Sequence, residues 1–174
     1  MRFLGIVFIS IVLSGCYNVK SENSNTELMK LYNSFINQLD NYKLIKYITQ
    51  DGVTDTIYID SINWTQELKL FTELNISKSY LSDYDIKTSK NGCSKHFQTT
   101  SNKYPIKRYK YLHCDNNLIV FIDYIKSSPL YRFSYHLELN NKGYLVEIIS
   151  DVTMAYESNY RIEGKFITNQ VKID

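Results

Sequence analysis

Apolar and polar positions follow two rhythms along this chain, and the change of rhythm divides it. From about residue 27 to 42, Leu28, Leu31, Phe35, Leu39 and Tyr42 recur at helical spacing along one face, and Thr26, or Asn25, can cap that helix. The run KLIKYITQDGVTDTIYID follows, where two β-prone stretches flank Asp51-Gly52, a strong hairpin signal. Asp60 or Ser61 then caps a second helix over roughly 62–74. Trp64, Leu68 and Phe71 fall at i, i+4 and i+7, with Leu74 after them, and this stripe reads as core.

From residue 80 onward the period is that of strands. YRFSYHLEL sets Tyr131, Phe133, Tyr135, Leu137 and Leu139 against Arg132, Ser134, His136 and Glu138, and YRIEGKF alternates likewise. LIVFIDYI is apolar on both faces, as a strand near the middle of a sheet should be. Turns are expected at Ser127-Ser128-Pro129 and at Asn140-Asn141-Lys142-Gly143, and short connections between consecutive strands predict an antiparallel meander. Without an internal repeat or interior linker, residues 26–174 read as one α+β domain. In it an N-terminal helix and a short second helix pack on a curved antiparallel β-sheet.

The beginning of the chain has another pattern. Arg2 precedes an apolar stretch, Phe3 to Leu13, broken only by Gly5 and Ser10. It has the length of a signal-peptide core and is too short to span ~30 Å of hydrocarbon as a helix. Its ending, Leu13-Ser14-Gly15-Cys16, looks like the lipobox of bacterial lipoproteins. The small Ser14 and Gly15 admit the site to a signal peptidase, and the Cys16 thiol can carry a diacylglycerol. Residues 1–15 are then the leader and 16–25 a polar, lipidated tether. Each buried CH₂ contributes ~0.8 kcal/mol, so two or three acyl chains hold firmly where one does not.

Charge adds an exclusion. The formal +2 of the 174 residues becomes +1 (19 basic, 18 acidic) once Arg2 leaves with the leader, a balance that argues against nucleic acid as a partner. Tyrosine is over-represented, with 16 residues against one tryptophan. A tyrosine-rich, half-buried sheet accounts for this more simply than a dedicated aromatic platform. KYPIKRYKY, residues 103–111, mixes basic and aromatic residues. Strict alternation puts Lys107 away from Arg108 and Lys110, however, which splits the charge between two faces.

With Cys16 assigned to lipid, Cys93 and Cys114 remain, and an exported location permits a disulfide between them. If residues 94–100 and 106–113 pair around SNKYP, the register can set Cys93 opposite Cys114, near disulfide range. Such a bridge stabilises by ~3 kcal/mol in the chain-entropy model. The spacing fits neither CxxC redox chemistry nor a zinc site. His96, His113 and His136 lack metal-binding spacing, and His136 reads as a solvated residue of a polar face. There is no GxSxG, phosphate-binding glycine loop or HExxH. Asp55, Asp60, Asp83 and Asp85 could pair as carboxylates, but so could surface acids of any protein. No catalytic residue, metal site or cofactor is therefore assigned, and the ligand-binding residues are not legible.

INWTQELKLFTELNISK resembles a family of uncharacterised lipoproteins from Bacteroidetes, in which a short DW helix carries an EL..F pattern followed by INK. Here Asn63 stands before Trp64 where that family has an acidic residue, and Ser77-Lys78 follows Ile76. The resemblance implies a Gram-negative envelope and carries over no catalytic residue. Tyr17, rather than aspartate, after Cys16 fits sorting to the outer membrane. The expectation is a non-enzymatic outer-membrane lipoprotein, held in the membrane by its anchor, that binds another envelope component, a protein foremost. The alternative is a small-ligand or glycan binder using a tyrosine-lined concave sheet.

Overall fold

Residues 26–114, 117–152 and 158–168 are described by a computed structural model of the protein. The expected leader, the lipidation site Cys16 and the tether up to residue 25 lie outside them.

The first helix, α1 (Thr26–Gln38), buries Leu28 and Phe35 as the helical spacing predicts, and Tyr32 as well, with Leu39 buried just beyond its end. It ends earlier than the apolar pattern. Asp40 and Asn41, residues that favour turns, turn the chain, and Tyr42 begins β1 (Tyr42–Gln50). β1 folds back on β2 (Val53–Ile59) through Asp51 and Gly52, with φ of 49° and 86°. Two consecutive positive φ values are what a two-residue hairpin of matching twist requires.

The second predicted helix is broken in two, α2 (Trp64–Glu67) and α3 (Lys69–Glu73), at Leu68 with φ −95° and ψ 12°. Leu68 is fully buried. The break lets the two flanking aromatics reach different strands: Trp64 meets Phe166 at 5.2 Å and Phe71 meets Tyr144 at 6.2 Å. Neither Asp60 nor Ser61 caps this helix. Asn63 does, its side-chain oxygen accepting from the Gln66 amide at 3.1 Å, while Asp60 pairs with Lys43 at 2.7 Å.

A 3₁₀ segment (Lys78–Asp83) leads into seven strands: β3 (Asp85–Thr88), β4 (Ser94–Gln98), β5 (Ile106–Cys114), β6 (Asn117–Ser128), β7 (Tyr131–Asn140), β8 (Gly143–Val152) and β9 (Ser158–Thr168). They form the expected antiparallel meander, with turns where the sequence puts them. The fold is mixed α+β but dominated by a single nine-stranded sheet of order β2-β1-β9-β8-β7-β6-β5-β4-β3. The pairing of β1 with β9 joins the first and last described strands. It also leaves β2 and β3, adjacent among the strands in sequence, at opposite edges, so the segment between them crosses the sheet.

That crossing segment and α1 cover one face. Phe35 packs on Phe166 of β9 at 6.2 Å, and the Tyr32 hydroxyl meets that of Tyr109 on β5 at 3.3 Å. Beneath them Leu118, Val120, Ile122, Leu137 and Leu139 are almost wholly buried, each such side chain contributing ~1.5–3 kcal/mol. Glu67 of α2 reaches into this layer, accepting a hydrogen bond from the Tyr144 hydroxyl and pairing with Lys46 of β1 at 2.6 Å. Gly164 of β9 leaves the space in which the Tyr144 ring lies.

Cys93 and Cys114 stand at disulfide distance, with Cα atoms 5.5 Å apart. The hairpin register differs by one residue from the one expected. Ser94 pairs with Leu112, and the His113 amide donates to the Cys93 carbonyl at 2.8 Å, so the cysteines are diagonal rather than directly opposed. Burial decides this. The observed register sets Phe97 against Tyr109, both on the covered face, whereas the expected one would oppose Phe97 to Lys110.

Candidate functional site

Among the described residues the helices cover only the first face of the sheet and leave the second open. Where β5 to β9 run side by side, their open-face positions bring five ionisable side chains into one row: Arg108, Asp123, His136, Glu147 and Arg161, each directly opposite the next in register. Directly opposed side chains are the closest neighbours a sheet offers, and opposite charges there attract. Arg108 donates from Nε to Asp123, and Arg161 bonds Glu147 at 2.5 Å while reaching Glu163 at 3.6 Å.

His136 lies at the middle of this row. Its Nδ1 is 2.7 Å from Asp123 and its Nε2 is 2.9 Å from Glu138, two residues along β7 on the same face. Ionised carboxylates only accept hydrogen bonds, so a neutral imidazole can satisfy one of the two and the imidazolium satisfies both. Partial burial lowers the imidazole pKa, but the hydrogen bonds that Asp123 and Glu138 accept from it, and their charges, outweigh it and raise the value above 6.5. With the imidazole protonated, the row alternates in sign from Arg108 to Arg161.

Around it is a concavity of about 300 Å³, lined by Lys107, Arg108, Asp123, His136 and Glu147, with Ile125 and Ile149 as its apolar wall. Lys107 is here because of a β-bulge. The β5–β6 register shifts between Ile106 and Arg108, which puts an extra residue on β5 and brings Lys107 beside Arg108. The expected split of KYPIKRYKY between two faces is therefore wrong. Lys107 and Arg108 share the open face with Lys110, which lies over the Phe121 ring at 5.7 Å, while Tyr109 and Tyr111 are buried on the other. Strict alternation fails at a bulge, and a single sequence does not mark one. The nearby carboxylates balance the gathered cations, so this is a mixed patch and not a basic one.

The remaining candidates are dispersed. Asp55 is on the β2 edge and Asp60 just beyond it, whereas Asp83 and Asp85 are at the β3 edge, where Asp83 accepts from the Tyr104 hydroxyl. They form no single carboxylate site. His96 is flanked by Lys87 and Lys110 in register, and His113 is opposite Leu118. Among the described residues no group of three or more His, Cys, Asp or Glu side chains is arranged to hold a metal ion. Both nitrogens of His136 are engaged by carboxylates, Nδ1 by Asp123 and Nε2 by Glu138.

Among the described residues six tyrosines, including Tyr32, Tyr109 and Tyr144, are core residues. Another set forms a strip on the helix-bearing face: Tyr124 meets Tyr135 at 5.4 Å, Phe133 meets Tyr135 at 6.5 Å, and Tyr131 meets Phe133 at 5.2 Å. Sequence reasoning placed His136 and Glu138 on a polar face but missed Asp123, Glu147 and Arg161 as their neighbours. The alternation on each strand was visible, but the register that aligns five strands was not. Compared with known proteins, the chain matches no family model, no curated protein and no solved structure.

Proposed function

We propose that this protein is a non-enzymatic lipoprotein of the outer membrane, anchored by diacylglycerol on Cys16, whose open sheet face binds a protein of the envelope. The observation that carries the binding reading is the ionic row from Arg108 to Arg161 beside the concavity walled by Ile125 and Ile149. Fixed charges of alternating sign next to apolar side chains give a surface that discriminates between partners by charge complementarity. A polyanion such as nucleic acid would meet Asp123, Glu138 and Glu147 as well as the arginines. The anchor rests on the Leu13-Ser14-Gly15-Cys16 ending, and placement in a Gram-negative envelope on the resemblance of the Trp64 helix to the Bacteroidetes lipoproteins.

The test is crosslinking in intact cells with the tagged protein at native level, followed by mass spectrometry. One dominant protein partner, lost when Cys16→Ala releases the anchor, supports the reading. A membrane-bound protein that crosslinks to no other protein refutes it. That outcome favours a second reading, a glycan or small-ligand binder, which the strip of Tyr124, Tyr131, Phe133 and Tyr135 supports because aromatic faces stack on sugar rings.

A further inference from the structure

The two edges of the sheet are built differently. The β3 edge is four residues long, and its two charged residues, Asp85 and Lys87, pair at 3.6 Å. Short, charged edges are a usual protection against strand addition. The β2 edge is longer and carries a single charge, Asp55. It runs seven residues, VTDTIYI, without proline, lysine or bulge, and it exposes Val53 (71%), Ile57 (43%) and Tyr58 (61%).

We propose that β2 is a homodimer interface, in which two copies of the chain pair β2 with β2, antiparallel and two-fold about Thr56, to make one continuous sheet. The backbone fixes this register. A two-residue turn makes Gln50 and Val53 the hydrogen-bonded pair that closes the hairpin. Bonded and non-bonded pairs then alternate, so Val53, Asp55, Ile57 and Ile59 direct their backbone groups to β1. Thr54, Thr56 and Tyr58 direct theirs outward. An antiparallel copy centred on Thr56 sets Thr54 against the second copy's Tyr58 and Thr56 against itself, and each such pair exchanges two hydrogen bonds. Every outward backbone group of the strand between Thr54 and Tyr58 is then satisfied.

The side chains accept the same register. Val53 faces the second copy's Ile59, apolar against apolar, and Thr54 faces its Tyr58. Asp55, the one charged residue of the strand, faces Ile57. The two Asp55 carboxylates become diagonal neighbours ~7–8 Å apart, about one Debye length at physiological salt, so their repulsion is weak. Neither neighbouring register pairs all three outward residues.

Thr56→Cys in the full-length chain, in its membrane, tests the register. The hydrogen-bonded pair at the two-fold axis has Cα atoms ~5.5 Å apart, within disulfide range. Mild oxidation is expected to give a crosslinked dimer well above the level seen with the parent chain and with Lys87→Cys on the other edge. Thr56→Pro removes an amide that points away from β1. It is expected to leave the circular dichroism spectrum unchanged and convert the solubilised dimer to monomer in sedimentation. The proposal is overturned if Thr56→Cys crosslinks no more than Lys87→Cys, or if a dimer persists in Thr56→Pro.

Discussion

Gly164 and Tyr144 are opposite each other on β9 and β8, and their contact predicts an unusually costly small substitution. A Cβ built on Gly164 would be 2.2 Å from Tyr144 Cε1 and 2.5 Å from Cζ, where ordinary contact begins near 3.4 Å. The ring would have to move by about 1.2 Å (3.4 − 2.2). It is not free to do so, because its hydroxyl donates to Glu67, which Lys46 holds at 2.6 Å. Burial, with the Glu67 bond and charge, pushes the phenol pKa up, so it remains a donor over the usual pH range. Overpacking costs ~1–3 kcal/mol. Losing a hydrogen bond to a charged acceptor costs a further ~1.5–3 kcal/mol if the ring swings clear. The lower entropy of the unfolded alanine chain offsets ~0.4–1 kcal/mol. Gly164→Ala should therefore destabilise the protein by about 2–4 kcal/mol, which lowers Tm by roughly 5–15 °C for a domain of this size. Urea or thermal unfolding of Gly164→Ala, Tyr144→Ala and the double variant measures it, with most of the Gly164→Ala cost absent in the Tyr144→Ala background. A Gly164→Ala effect within about 0.5 kcal/mol, or an equal cost in both backgrounds, would refute the reasoning.

Three further outcomes are expected. His136 has its pKa raised by Asp123 and Glu138, so its stabilisation is complete below the unfolded value near 6.5 and is lost as pH rises through the folded value. Because His136 is 37% exposed, solvent screening keeps this to on the order of 1 kcal/mol or less. His136→Gln should lose that pH dependence in urea titrations across pH 6–9, and an unchanged profile would contradict the carboxylate clamp. Cys93→Ser should lower stability by ~3 kcal/mol under oxidising conditions and leave the reduced protein little changed. Asn63→Ala should cost ~1 kcal/mol by removing the cap of α2, whereas Asp60→Ala should cost less, since its pair with Lys43 is exposed.

Local chemistry was legible in this sequence, and long-range register was not. Asp51-Gly52 marked its hairpin because it is one of the few pairs that suit two consecutive positive φ values, and Trp64, Leu68 and Phe71 marked core because burial follows the helical period. The break at Leu68 was hidden because it serves two different strands, those of Phe166 and Tyr144, which only the assembled sheet brings side by side. The ionic row was hidden for the same reason. Arg108, Asp123, His136, Glu147 and Arg161 lie on five strands, and one residue of slip in any pair would disperse them. The bulge at Lys107 adds such a slip within β5 itself and reverses the expected facing of that lysine.

Site-specific photocrosslinking in intact cells tests the central claim most directly, with the probe at Ile149 on the open face or at Leu70 on the exposed side of α3. The account predicts one protein adduct from Ile149, absent from Leu70 and abolished by Arg161→Glu. Adducts of equal yield from both positions, or none from Ile149, would contradict the assignment of the open face as the binding surface.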